Sequence, residues 1–184
     1  MGKTKGTSFV NAQAYCDTVH GEGAWARVRD RMDPTDREVL TGLVAVGWYE
    51  LDLYARAIRA IDRELGAGDL GLIAPLGRFE AERDFKTIHR LFFRLANPAY
   101  AIEKATEYWR RFHDTGSWSV VRNSPTSVSG SLEGWAATDS VLCLELTGYM
   151  PRVIELVGGE SALMTHPRCR MLGHSACEFD LRWS

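Results

Sequence analysis

Cys143, Cys169 and Cys177, with His166 and His174 beside them, are the residues of this chain whose types and spacing could do chemistry together. Thiolate sulfur and imidazole nitrogen are donors for soft or borderline cations, and sulfurs carried on a helix and on the two arms of a hairpin can close around one ion. Two readings stand side by side. In one the cysteines hold a metal, with either histidine as a further ligand; His174 falls at a hairpin tip, where a side chain normally points to solvent. In the other they are core thiols, since cysteine packs as a small hydrophobe. Cys16, beside Tyr15 and far upstream, reads as a core residue.

The whole sequence restricts what such a cluster could serve. At 184 residues the chain fits one domain, 1–184, large enough to bury a core without disulfides, so a metal would act as a local clip. Apolar residues make up 45%, charged residues 25%, and the net charge is −2, which gives no electrostatic footprint for nucleic acid or an anionic membrane. No apolar run approaches a membrane span, and the Met1-Gly2-Lys3-Thr4-Lys5-Gly6 start lacks a signal-peptide core, so the expected location is cytoplasmic. In a reducing compartment clustered cysteines favour metal or free thiols over disulfides. No catalytic residues are expected: no Ser/His/Asp or paired-carboxylate arrangement stands out by spacing, and the Gly66-Ala67-Gly68-Asp69-Leu70-Gly71 stretch reads as a loop because no strand precedes it and no Lys-Ser/Thr follows.

The elements that must position the cysteines follow from periodicity. Residues 1–116 read as mainly helical. Asp33-Pro34 with Asp36 is a helix start, and Leu51, Tyr54, Ala55 and Ile58 repeat at helical spacing until Gly66. A segment from about 79 to 96 carries Phe85, Ile88, Leu91, Phe92 and Leu95. Asn97-Pro98 then opens a helix striped by Ile102, Ala105, Trp109 and Phe112, and Gly116 closes it. Beyond it, strands are expected near 117–122, 126–129 and 132–138, followed by a helix from 139 to about 157 that Pro151 should kink or split. Cys177, Phe179, Leu181 and Trp183 alternate with polar residues, the cleanest strand pattern in the chain. Its partner is expected at about 162–171. A three-residue loop would then set Cys169 opposite Cys177.

Cys143, Gly148, His166, Cys169, Gly173, Cys177 and Phe179 together resemble the 4-vinyl reductase domain, within the superfamily of ligand-binding domains in NO signalling and Golgi transport that includes the small subunits of the TRAPP vesicle-tethering complex. The match is specific over roughly 139–183. Phe9-Val10, Gly23-Ala24-Trp25 and Gly47-Trp48-Tyr49 are also similar to stand-alone myxobacterial proteins related to this domain. The resemblance implies an α/β (α+β) fold, a helical layer on a small antiparallel sheet. It implies structural zinc held by Cys143, Cys169, Cys177 and, where the family has an acid, His166. It further implies a sensor or carrier for a small apolar or aromatic molecule, with His89, Phe92, Phe93, Trp109, Trp118, Trp135 and Tyr149 as candidate pocket residues, although helical spacing makes core packing the commoner role of such rings. Family members commonly pair, and a homodimer through Phe9, Val10 and Tyr15 is expected. The alternative class is a protein-protein assembly module like the TRAPP subunits. An enzyme acting on a tetrapyrrole would need an open metal position or a cofactor cleft.

Overall fold

The computed structural model describes residues 2–87 and 97–184. His89, Phe92, Phe93 and the rest of the expected helical stretch from 88 to 96 lie outside the described residues. Among the described residues, no helix is long and apolar enough to cross a membrane.

The chain opens with a short strand β1 (Lys3–Lys5) and helices α1 (Gly6–Val19), α2 (Ala24–Asp30) and α3 (Pro34–Thr41). The α3 start follows from local chemistry: the Asp33 carboxylate accepts from the Thr35 N–H at 2.9 Å, and Pro34 needs no partner for a missing donor. Strand β2 (Trp48–Glu50) pairs antiparallel with β1, a two-stranded sheet that three-residue segments cannot announce by periodicity. Helix α4 (Leu51–Leu65) buries the stripe expected of it and stops at Gly66. Its buried Asp62 accepts from the N–H groups of Leu70 (2.8 Å) and Leu72 (2.9 Å), which fixes the glycine-rich loop as a structural turn.

Helix α5 (Ile73–Thr87) leads towards α6 (Pro98–Phe112), where Asn97 accepts from the Tyr100 N–H at 3.0 Å and caps the helix as its sequence requires. Strands β3 (Ser117–Ser124) and β4 (Ser127–Glu133), helix α7 (Val141–Leu156), then β5 (Leu163–Arg168) and β6 (Cys177–Arg182) complete the fold. The sheet is antiparallel with order β3-β4-β6-β5. Cys177, Phe179 and Leu181 of β6 face the core, and the helices cover that face. The architecture is mixed α+β, as expected.

Helices α5 and α7 cross at glycines. A Cβ on Gly148 would fall well within 3.0 Å of the Ala74 carbonyl oxygen, and one on Gly77 equally close to the Glu145 carbonyl oxygen. Each glycine therefore lets the other helix's backbone approach where no side chain could stand.

Two expectations need correction. The chain forms two strands where three were expected across 117–138, because Ser129-Gly130 is not a turn: Gly130 pairs with both neighbouring strands, and its missing side chain makes room for the Trp118 ring. Of the kink or split expected at Pro151, the split does not occur: α7 runs through Pro151 as one helix. The hairpin strand is shorter than expected, and Cys169 to Ala176 form a longer connection holding a 3-10 turn, Arg170–Leu172, with Gly173 at φ +95°. Phe9 and Tyr15 are buried in the chain's own core and Val10 is half-buried.

Candidate functional site

Cys143 is carried on the first turn of α7, Cys177 opens β6, and Cys169 precedes the 3-10 turn between β5 and β6. All three are buried, with Cys143 Sγ and Cys177 Sγ 3.6 Å apart. His166 joins them through an irregularity in β5. The pairing of β5 with β6 slips between Thr165 and Arg168, and Pro167, which has no N–H to give, is tolerated there because β5 is an edge strand. The slip aims the imidazole inward, against the Phe179 ring at 4.2 Å. One ligand atom from each of Cys143, His166, Cys169 and Cys177 lies within 4.8 Å of the others.

These four residues fit a tetrahedral ion. Zinc–sulfur bonds of about 2.3 Å put two sulfurs about 3.8 Å apart, close to the separation seen here. Both nitrogens of His166 are shut from solvent without a hydrogen-bond partner, an unsatisfied state that a bound cation would relieve. Burial lowers the His166 pKa and keeps the ring in its neutral, ligating form. Burial pushes the Cys143 and Cys177 thiols up, so without a cation they stay protonated; the Arg170 N–H, 3.5 Å from Cys177 Sγ, is a donor to its sulfur. The geometry brings the ligand set together with His166. No described metal-ligand cluster includes His174.

A second site lies on the other side of α7. A cavity of about 110 Å³ opens between α5, α6 and α7, walled by Ala105, Trp109, Phe112, Leu146, Met150 and Val153, with Tyr149 at its edge. Trp109 and Tyr149, both expected to line a pocket, do so. Trp118 lines a neighbouring apolar cavity of about 50 Å³ between α6 and the sheet. Trp135 lines neither: it packs edge-on against Trp109 at 5.3 Å and is a core residue.

The cavity between α5, α6 and α7 has a polar floor that no sequence pattern announced. Glu80 and Asp84, one helical turn apart on α5, and Glu145 on α7 are all buried carboxyls. Tyr54 donates its hydroxyl to Glu80 at 2.7 Å. Asp84 accepts from Asn11 (2.8 Å) and Tyr149 (3.0 Å). Burial is the main cause that raises all three acids: Glu80 well above the usual carboxylate range, further raised by Glu145; Asp84 upward; and Glu145 up to about 7. Glu80 and Glu145 lie within hydrogen-bonding reach of each other, so the pair is satisfied when one of them carries a proton. His113, after the last turn of α6, stacks on Trp109 at 4.0 Å. Its Nδ1 is shut from solvent without a partner, and burial lowers its pKa to about 3. Glu145 could have been found from sequence as the one acid inside the apolar run Val141-Leu142-Cys143-Leu144-Glu145-Leu146.

No family model matches the chain, and no curated protein matches it. Solved structures do. An H-NOX protein from Shewanella oneidensis in the Fe(II)NO state is 12% identical and superimposes with a TM-score of 0.73 over 98% of this chain and 99% of that one. The Fe(II) unliganded H-NOX protein from K. algicida is 11% identical, TM-score 0.65, over 98% and 96%. An oxygen-binding H-NOX domain related to soluble guanylate cyclases is 9% identical, TM-score 0.65, over 98% and 95%. The chain has the fold of these domains along nearly its whole length.

That fold raises the question of iron. Gas-binding iron is commonly carried by haem on a protein axial ligand. The cavity between α5, α6 and α7, at about 110 Å³, falls below the roughly 300 Å³ at which pockets for larger organic ligands begin, and the space of about 360 Å³ between α6 and the sheet has neither histidine nor cysteine among its described lining residues. The one histidine on the wall of the former among the described residues, His113, is stacked flat on Trp109. The described residues do not fit such a group, and no chemistry is assigned through it.

Proposed function

We propose that this chain is a small-molecule-binding domain, a sensor or carrier, that takes an apolar or aromatic ligand in the cavity between α5, α6 and α7 and holds its C-terminal hairpin with structural zinc. The observation that carries the reading is the cavity itself: a space walled by Trp109, Phe112, Met150 and Val153, in a fold shared with H-NOX domains solved in an Fe(II)NO state and as an oxygen complex. Zinc is assigned to Cys143, His166, Cys169 and Cys177 on the strength of their mutual distances and of the unpartnered His166 ring. Four protein ligands close the coordination shell, so the ion clips α7 to the β5–β6 hairpin and performs no catalysis.

The clip and the cavity share α7. Cys143 lies on its first turn, facing the hairpin, and Leu146, Tyr149, Met150 and Val153 follow along it on the cavity side. A ligand that shifts α7 would be felt at the hairpin. Thermal denaturation against a panel of small aromatics and short-chain lipids tests the reading: a melting temperature that rises with ligand concentration is expected, and one unchanged across the whole panel would refute it.

A further inference from the structure

We propose that the outer edge of β3 is an interface between two copies of this chain, the strands pairing antiparallel about a two-fold axis at Val120 so that the two sheets become one continuous sheet. The proposal is independent of the ligand and zinc readings.

The first observation is that the two edges of the sheet differ. A strand edge offers a row of unpaired N–H and C=O groups to any other chain, and folded proteins blunt it with proline, charge, a bulge or a short strand. β5, at one edge, has Pro167, Arg168 and the slip in its pairing between Thr165 and Arg168. β3, at the other, is the longest strand of the sheet and pairs with β4 without interruption from Ser117 to Arg122. Over that stretch it has no proline, and its one charge is Arg122 at the end. Among the described residues no strand pairs with its outer side. Six of its eight residues are exposed, with Val120 at 37% and Val121 at 64%, so two valines on opposite faces stand in solvent at the middle of the strand. Valine is a residue of paired, half-covered strands, and here one side of the pairing is open.

The second observation concerns what covers the edge. Trp118, Val120 and Arg122 line the groove between α6 and the sheet, and Ser119 and Val121, alternating with them, point to the other face. A two-fold axis through Val120, perpendicular to the sheet, sets Val120 opposite the partner's Val120, Trp118 opposite the partner's Arg122, and Ser119 opposite the partner's Val121. Valine then meets valine, and tryptophan meets an arginine whose guanidinium the Ser124 and Pro125 carbonyls hold at 3.1 Å. No like charges fall opposite one another. An axis at Arg122 would set two guanidinium groups together and leave half the strand unpaired, which excludes that end. Charge also favours a second copy over a strongly acidic or basic segment of another protein: the groove walls carry one charge of each sign, Arg122 and Glu103, so they select for no net charge, and β3 brings a single one. One strand edge is small beside the roughly 1,200–2,000 Å² of a standard interface, so the expected dissociation constant is on the order of 10 μM.

Sedimentation velocity of the full chain, over a concentration series that brackets about 10 μM by tenfold on either side, tests the proposal. A shift from the monomer mass of 20.6 kDa to twice that mass is expected as concentration rises. Val121→Lys changes an exposed side chain on the solvent face and sets two ammonium groups diagonally across the axis, so it should weaken the dimer about tenfold or more, while Val121→Thr, which keeps the β-branch, should not. Hydrogen exchange of the unmodified chain gives a reading that needs no variant: amides within 117–122 should exchange more slowly at the high end of the series than at the low end. A chain that stays monomeric throughout would overturn the proposal and leave the edge to solvent or to an extended segment of a different protein. A dimer whose formation leaves exchange over 117–122 unchanged would put the interface elsewhere and overturn it equally, whether or not the lysine variant folds.

Discussion

Replacing Gly148 with alanine adds one methyl at the α5–α7 crossing, and its cost can be worked from the contact it must displace. The new Cβ would fall well within 3.0 Å of the Ala74 carbonyl oxygen, with the Ala74 carbonyl carbon and Cα also closer than 3.0 Å. Carbon–oxygen contacts settle near about 3.3 Å, so the two helices must part by on the order of an ångström. Neither side can yield by a rotamer change, since the obstacle is backbone. Overpacking of this kind costs about 1–3 kcal/mol and sometimes more, while alanine in place of glycine inside a helix returns up to about 1 kcal/mol. With a backbone obstacle at the upper end of that range, the net expected loss is about 2 kcal/mol, or about 4–8 °C in melting temperature for a domain of this size. Denaturant unfolding and calorimetry of Gly148→Ala measure it. Gly77→Ala, which meets the Glu145 carbonyl, should behave alike, and the two should couple because they open the same seam. If Gly148→Ala matches or exceeds the parent in stability, the crossing is not set by the glycines, and the placement of Glu80 against Glu145 loses its structural basis.

Cys177→Ser should lose zinc and lower the melting temperature without abolishing folding, because β6 keeps its buried Phe179 and Leu181 face in the shared core; His166→Ala should weaken zinc less, since water can complete three thiolates, and elemental analysis reads both. Glu80→Gln should gain stability relative to the parent as pH rises from about 5 to 8: the buried acid has a raised pKa, the folded chain binds more protons than the unfolded one over that window, and parental stability falls with pH. Denaturation at the two pH values checks it, and a pH-independent difference would count against the pair. Asp139 behaves oppositely. The Arg59 guanidinium grips it at 2.5 and 2.6 Å, and it also accepts from the Val141 N–H at the start of α7, so its pKa is lowered. Asp139→Asn should cost about 1 kcal/mol near neutrality, discounted for partial exposure, and the cost should vanish as pH falls below the ordinary aspartate range.

Where local chemistry decides, the sequence was readable. The Asp33 and Asn97 caps, the Gly66 stop and the alternating face of β6 depend on nearest neighbours and fall where their residues say. The candidate metal set was legible because ligand chemistry restricts residue type as well as spacing, and Gly148, noted only as part of a resembling pattern, gains a physical reason in its contact with Ala74. Features made by distant partners were hidden. Gly130 looked like a turn because nothing nearby reveals that the Trp118 ring crosses it. Glu80 and Asp84 looked like the solvent face of a helix, since the carboxyl and hydroxyls they meet come from α4 and α7. The β5–β6 connection was misjudged because Pro167 and the slip beside it shorten the pairing, which no period-two pattern records.

Native mass spectrometry of the full chain purified without chelator, before and after adding a small aromatic, benzyl alcohol, tests the central claim most directly. The account predicts one zinc per chain in the untreated protein and one further ligand adduct on addition, with the zinc lost and the adduct kept in Cys177→Ser. A chain mass with less than about 0.1 zinc, where a structural site should be nearly full, and with no ligand adduct would contradict it, leaving the cysteines as core thiols and the cavity as a packing defect.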